Sequence, residues 1–98
     1  MEVCLRVVRD RKGVLVVICD AELLGKTFRE GKMKLEVTKE FYGGTLCAIE
    51  KAMDELAHAD MANLVGRDAI GKSIRQGLVD PEAVIYFEGV PHVQIVRL

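Results

Sequence analysis

Gly66-Arg67-Asp68-Ala69-Ile70-Gly71-Lys72-Ser73 satisfies the G-x-x-x-x-G-K-[ST] pattern of a phosphate-binding loop. In such a loop, backbone N–H groups cradle phosphate at a helix N-terminus, the lysine pairs with it and the hydroxyl holds Mg²⁺. The run Val84 to Glu88 even imitates the apolar strand whose terminal acid supports the metal. Helix phase argues the other way. Ile70, Ile74 and Leu78 fall on one helical face, so the helix starts before Gly71 and carries Lys72 in its middle. The acidic strand also follows too soon, and the chain is too short for the whole nucleotide-binding fold. We read the pattern as a coincidence. Gly25-Lys26-Thr27 repeats the tripeptide with Asp20 in place of the upstream glycine, and reads as a turn with a solvated lysine.

Asp20 and Glu22 flank one small residue at the end of an apolar run. Paired carboxylates there suit proton transfer or a hard cation. The plainer role for such acids is to cap a following turn or helix. His92 and Gln94 share one strand face by period two. His92 is a candidate base, ligand or hydrogen-bond anchor, and a structural histidine bonded to a carbonyl is the plainer reading. His58 reads as a surface residue. Cys4, Cys19 and Cys47 are odd in number and lack a CxxC pair, so neither a disulfide framework nor a zinc site is expected. They read as small buried hydrophobes. No metal or cofactor is expected.

The elements that must position these residues follow from apolar periodicity. Glu2–Arg9 alternates as a half-buried strand, Asp10-Arg11-Lys12-Gly13 turns, and Val14–Cys19 returns as a strand buried on both faces. Met33–Thr38 alternates as a third strand. Phe41-Tyr42-Gly43-Gly44 is a tight loop before a helix whose stripe is Leu46, Ile49, Met53 and Leu56, with Thr45 as N-cap. Met61–Gly66 is a buried strand, and a second helix follows, closed by Gly77. Val84–Phe87 and Val90–Leu98 are the last strands, with Pro91 at a strand start or edge. The order β-β-β-α-β-α-β-β predicts an α+β fold, a mixed sheet with two helices packed against it, as a single domain over residues 1–98.

With 98 residues, half of them apolar and 30% charged, the composition is that of a globular protein. No apolar run approaches a membrane span, and Met1 to Asp10 has no signal-peptide architecture, so a cytoplasmic protein is expected. The net charge of −1 conceals an asymmetry: nine basic and six acidic side chains up to Lys39, then five and nine. A basic end can hold an anionic partner whatever the total charge.

Cys19-Asp20-Ala21-Glu22-Leu23-Leu24-Gly25-Lys26, Phe41-Tyr42-Gly43-Gly44, Asn63-Leu64-Val65-Gly66 and Gly89-Val90-Pro91-His92-Val93-Gln94-Ile95 occur in that order over nearly the whole chain. Together they resemble the small archaeal proteins of domain of unknown function family 424. The resemblance implies a stand-alone cytoplasmic domain with no established activity. It places the family's motifs on Asp20, Glu22, Gly25, Tyr42, Gly43, Asn63, Gly66, Pro91 and His92, of which the glycines and the proline also suit turns.

Three functions follow as expectations. The first is a non-enzymatic binding module for RNA or a ribonucleoprotein in translation or RNA processing. Its contacts would be Arg9, Arg11 and Lys12 at the hairpin tip, with Phe41 and Tyr42 as a stacking platform. Core plugging is the plainer role for those two aromatics. The second is a small enzyme or ligand-binding protein whose site gathers Asp20, Glu22, Lys26, Asn63 and His92. The third is a subunit of an obligate complex or a homodimer, given so apolar a short chain.

Overall fold

The apolar run after the first turn becomes the strand on which the rest is hung. In the computed structural model, which describes residues 1–97, β1 (Glu2–Asp10) pairs antiparallel with β2 (Gly13–Cys19) through the expected turn. The far edge of β1 takes β5 (Thr45–Ala48), again antiparallel. The far edge of β2 takes β6 (Met61–Val65) in parallel. β8 (Val90–Val96) pairs antiparallel with β6, and β7 (Ile85–Phe87) closes that side. The sheet is therefore mixed, with the order β5-β1-β2-β6-β8-β7.

A parallel pair needs a crossover, and here it is elaborate. Between β2 and β6 the chain forms a two-stranded ribbon of β3 (Thr27–Glu30) and β4 (Met33–Glu36), a one-turn helix α1 (Lys39–Tyr42), strand β5 and helix α2 (Ile49–Ala57). Helix α3 (Arg67–Arg75) follows β6.

Alternation along each strand divides the core into two layers. Val3, Leu5, Val16, Ile18, Ala62, Leu64 and Val93 face α2 and α3, whose Ile49, Ala52, Met53, Leu56, Ala69 and Ile70 meet them. Cys4, Val17, Cys19, Val65 and Phe87 belong to the opposite layer, covered by Leu35, Val37 and Tyr42 with half-buried Phe28 and Phe41. The fold is α+β, with two sheet-packed helices on one face and the ribbon on the other.

Three local expectations are corrected. Thr45 and Leu46 are not helical: they pair with Leu5 and Cys4 along the open edge of β1, and Leu46 is 52% exposed. The helix begins at Ile49, and its N-cap is Ala48 rather than Thr45. Strand pairing overrode a helical spacing that Leu46 satisfied by accident. A strand at Thr27–Glu30 precedes the predicted third strand, which itself stops at Glu36. Thr38, expected as strand, instead accepts the Phe41 N–H at Oγ1 and starts α1, so Phe41-Tyr42 is helix rather than loop. Leu98, the expected end of the last strand, lies outside the described residues.

The end of α3 follows the sequence closely. Gly77, at φ +72°, donates to Ile74 and the Leu78 N–H donates to Ser73, the paired bonds of a Schellman cap.

Candidate functional site

Four chain segments meet where the parallel strands end. Past Cys19 the Asp20 N–H continues the ladder to the Val65 carbonyl at 3.1 Å, which turns the Asp20 side chain towards α3. Its two carboxylate oxygens accept the N–H groups of Asp68 and Ala69, each at 2.9 Å. These are orphan donors of the first turn of α3. Asp20 thus caps a helix 48 residues away, not the turn that follows it. Gly66 lies between, at φ +115°, and a Cβ there would collide with the Asp20 carboxylate. The Gly66 N–H donates to Pro91 at 3.0 Å, tying in the buried start of β8.

This joint disposes of the phosphate-loop pattern. The place for an anion at the start of α3 is held by Asp20 itself. Lys72 is mid-helix, and the buried Ser73 hydroxyl donates to the Ala69 carbonyl at 2.6 Å. A hollow of about 320 Å³ beside the joint is lined by Asp20, Glu22, Leu23, Arg67, Asp68 and Val90. Carboxylate oxygens of Asp20, Glu22 and Asp68 lie within 4.8 Å of one another. Asp20 is already committed to α3, which leaves a cation only two exposed acids. Burial raises the Asp20 pKa, against the pull of its two N–H donors.

A second polar group crosses the ribbon face of the sheet. Tyr42, 4% exposed, donates its hydroxyl to Asn63 Oδ1 at 2.7 Å. His92, on the neighbouring strand, donates Nε2–H to the same oxygen at 3.1 Å. Burial lowers the His92 pKa and so favours the neutral ring, the bond to an acceptor oxygen calls for a proton on Nε2, and the Phe87 ring stands edge-on at 6.2 Å. Burial pushes the Tyr42 hydroxyl up to about 12, which keeps it a donor. Cys19 is likewise pushed up to about 12 by burial and is a poor nucleophile.

A family model described as a protein of unknown function (DUF424) matches residues 8–98. The chain belongs to the DUF424 family. Its fold is also similar to that in the crystal structure of an uncharacterized conserved protein from Methanopyrus kandleri, at 23% identity and a TM-score of 0.80. The match covers 97% of this chain and 90% of that one. A search of curated proteins finds no match.

In this DUF424 chain the proposed five-residue site is divided. Asn63 and His92 are bonded to one another, and Asp20 and Glu22 share the hollow at α3. Lys26 lies in neither place; it is exposed beside a depression at the base of the ribbon, with Gly25 and Lys39. Gly25 donates to Val37 across that base, and Gly43 caps α1 by donating to Lys39. The first-named RNA contacts divide as well. Arg11 and Lys12 are exposed at the β1–β2 turn, while Arg9 is held by Glu55 at 3.1 Å on the helix side. Phe41 is on the other side, with the Arg6 guanidinium 5.8 Å from its ring centroid and Arg6 Nη1 donating to its carbonyl. Tyr42, expected as an exposed stacking surface, is core: its ring packs edge-on to Phe41 at 4.9 Å and its hydroxyl is spent on Asn63.

The sequence reading missed where the basic charge gathers. Within residues 26–39, Lys26, Arg29, Lys32, Lys34 and Lys39 outnumber Glu30 and Glu36, while residues 1–25 carry equal numbers of each sign. Glu40 and Glu88, the latter accepting the Arg29 N–H, adjoin the ribbon and reduce the excess to one. Counting charge in a window of this width, rather than by halves of the chain, would have found it.

Proposed function

We propose that this protein is a non-enzymatic binding module that holds RNA, alone or within a ribonucleoprotein of translation or RNA processing, through the β3–β4 ribbon. The observation that carries this reading is one register pair. Arg29 lies directly opposite Lys34 on the outward face, while Phe28 opposite Leu35 turns inward. Like charges in that position oppose pairing by roughly 0.2–1 kcal/mol. Glu36 relieves Lys34 in part, at 2.8 Å. A line of phosphates along the ribbon would relieve the rest, with Lys26, Lys32 and Lys39 at its margins. Three free cysteines fit a reducing cytoplasm.

The test is titration of a labelled single-stranded RNA at several salt concentrations. Affinity should fall steeply with salt, and Arg29→Ala with Lys34→Ala should flatten the log–log slope by about 1.4, at about 0.7 for each phosphate contact removed. Salt-independent binding, or a slope indifferent to both substitutions, would rule out the ribbon.

A second reading, a protein partner or second copy added at a sheet edge, is favoured by Leu46 on β5 and by Ile85 and Tyr86 on β7, all half or more exposed on edge strands. Concentration-dependent sedimentation would reveal self-association.

A further inference from the structure

The ribbon covers only part of its sheet face. Period two also places Leu15, Met61, Asn63, Gln94 and Val96 on that face, and they floor a groove of about 220 Å³ walled by Phe41. The groove floor has no charged side chain. Its polar groups are two amides facing each other in register, Asn63 on β6 and Gln94 on β8. The Asn63 amide cannot turn freely. Its oxygen is engaged by both the Tyr42 hydroxyl and His92 Nε2–H, so its NH₂ is the group left for the groove. That nitrogen has no partner among the described residues, in which no buried side-chain nitrogen is unpartnered, so it reaches the surface. Gln94 is exposed and offers both a carbonyl and an NH₂.

We infer that this groove is a nucleobase site: Asn63 donates to a base acceptor, Gln94 completes the polar edge, and the base face lies against Phe41 and the aliphatic floor. A flat group with apolar faces and a mixed donor–acceptor edge matches these surfaces. A phosphate does not, because the floor offers it no cation. Arg6, stacked on Phe41, keeps guanidinium N–H groups for the sugar–phosphate beside the base. Tyr42 and His92 are positioning residues that fix the Asn63 amide. The inference rests on the RNA reading above for the source of the base, and not for the groove itself.

The chain has one asparagine and two glutamines, so its side-chain amide signals are few and assignable by NMR. The probes are adenosine and uridine, a single-stranded RNA octamer, and the same octamer made abasic. Nucleosides should shift the Asn63 and Gln94 signals and spare Gln76. Gln94→Ala should weaken octamer binding about fivefold or more, the lower end for a base contact, with the salt slope unchanged. Tyr42→Phe, which frees the Asn63 amide, should blunt the nucleoside shifts and also leave the slope alone. If intact and abasic octamers bind equally and neither amide moves, the groove assignment falls and the RNA reading stands. If nucleosides shift the amides and no octamer binds, the groove stands and the RNA reading falls. If nothing binds or shifts, both fall.

Discussion

The two faces of the sheet are built on different terms. Beneath α2 and α3 the layer is aliphatic apart from Ser73, which satisfies itself within its own helix. Beneath the ribbon the layer holds Tyr42, Asn63, His92, two cysteines and the stem of Arg6, and it leaves part of the sheet uncovered. Aliphatic burial is non-directional, and many sequences would fill that layer. Tyrosine, asparagine and histidine in mutual contact gain little net stability over an apolar set, and each is costly to leave unpaired. Such a group fixes where donors and acceptors point. The helix face therefore holds the fold, and the ribbon face carries whatever the fold presents.

The sharpest way to break this contrast is on the helix face. Leu56, fully buried against the sheet, should lose about 2–5 kcal/mol on truncation to alanine by urea unfolding, with the groove amides unshifted in the surviving folded fraction. An Asp20→Ala substitution comes next. It strips two N–H donors of α3 of their acceptor and should cost about 1–2 kcal/mol, while Asp20→Asn, which keeps one acceptor oxygen, should cost less. A third effect is confined to the ribbon face. Because folding lowers the His92 pKa below its ordinary 6.5, the unfolded chain takes up that proton first as pH falls. The contribution of His92 is thus complete above about pH 6.5 and lost progressively below it. His92→Gln should remove that part of the stability–pH slope; an unaltered profile would mean that His92 is not the titrating group. The smallest effect belongs to the ribbon surface, where Arg29→Ala should change stability by no more than about 0.5 kcal/mol, in the stabilising direction, since it ends the opposition to Lys34.

Local physics was legible in the sequence, and non-local physics was not. Gly77 closes α3, the Asp10–Gly13 turn joins β1 and β2, and the phase of Ile70 excluded the phosphate loop, because each depends on residues a few positions apart. The α+β class followed from the same periodicities. Leu46 misled because three residues to Ile49 is a helical spacing, and only the open edge of β1 decides otherwise. The parallel pairing of β2 with β6 left no mark on either strand beyond being apolar. Asp20 and Glu22 stood out as a pair, yet the partners of Asp20 are backbone groups of α3, which no spacing reveals. Asn63 and His92 were expected in one site and Tyr42 in another; what joins all three is one amide oxygen, which no spacing reveals.

The parallel seam between β2 and β6 also governs the order of assembly. Leu15 to Cys19 must wait for Met61 to Val65, with the ribbon, α1, β5 and α2 all lying between. During synthesis the β1–β2 hairpin can close early, but the most apolar strand of the molecule then stands with one edge bare until its neighbour emerges. A bare apolar edge is a template for intermolecular pairing. Closing so long an interval also places this fold among the slower ones for its size. The hazard for this chain therefore lies in the interval before β6 arrives, and a cell that keeps it soluble must shield or outpace that interval.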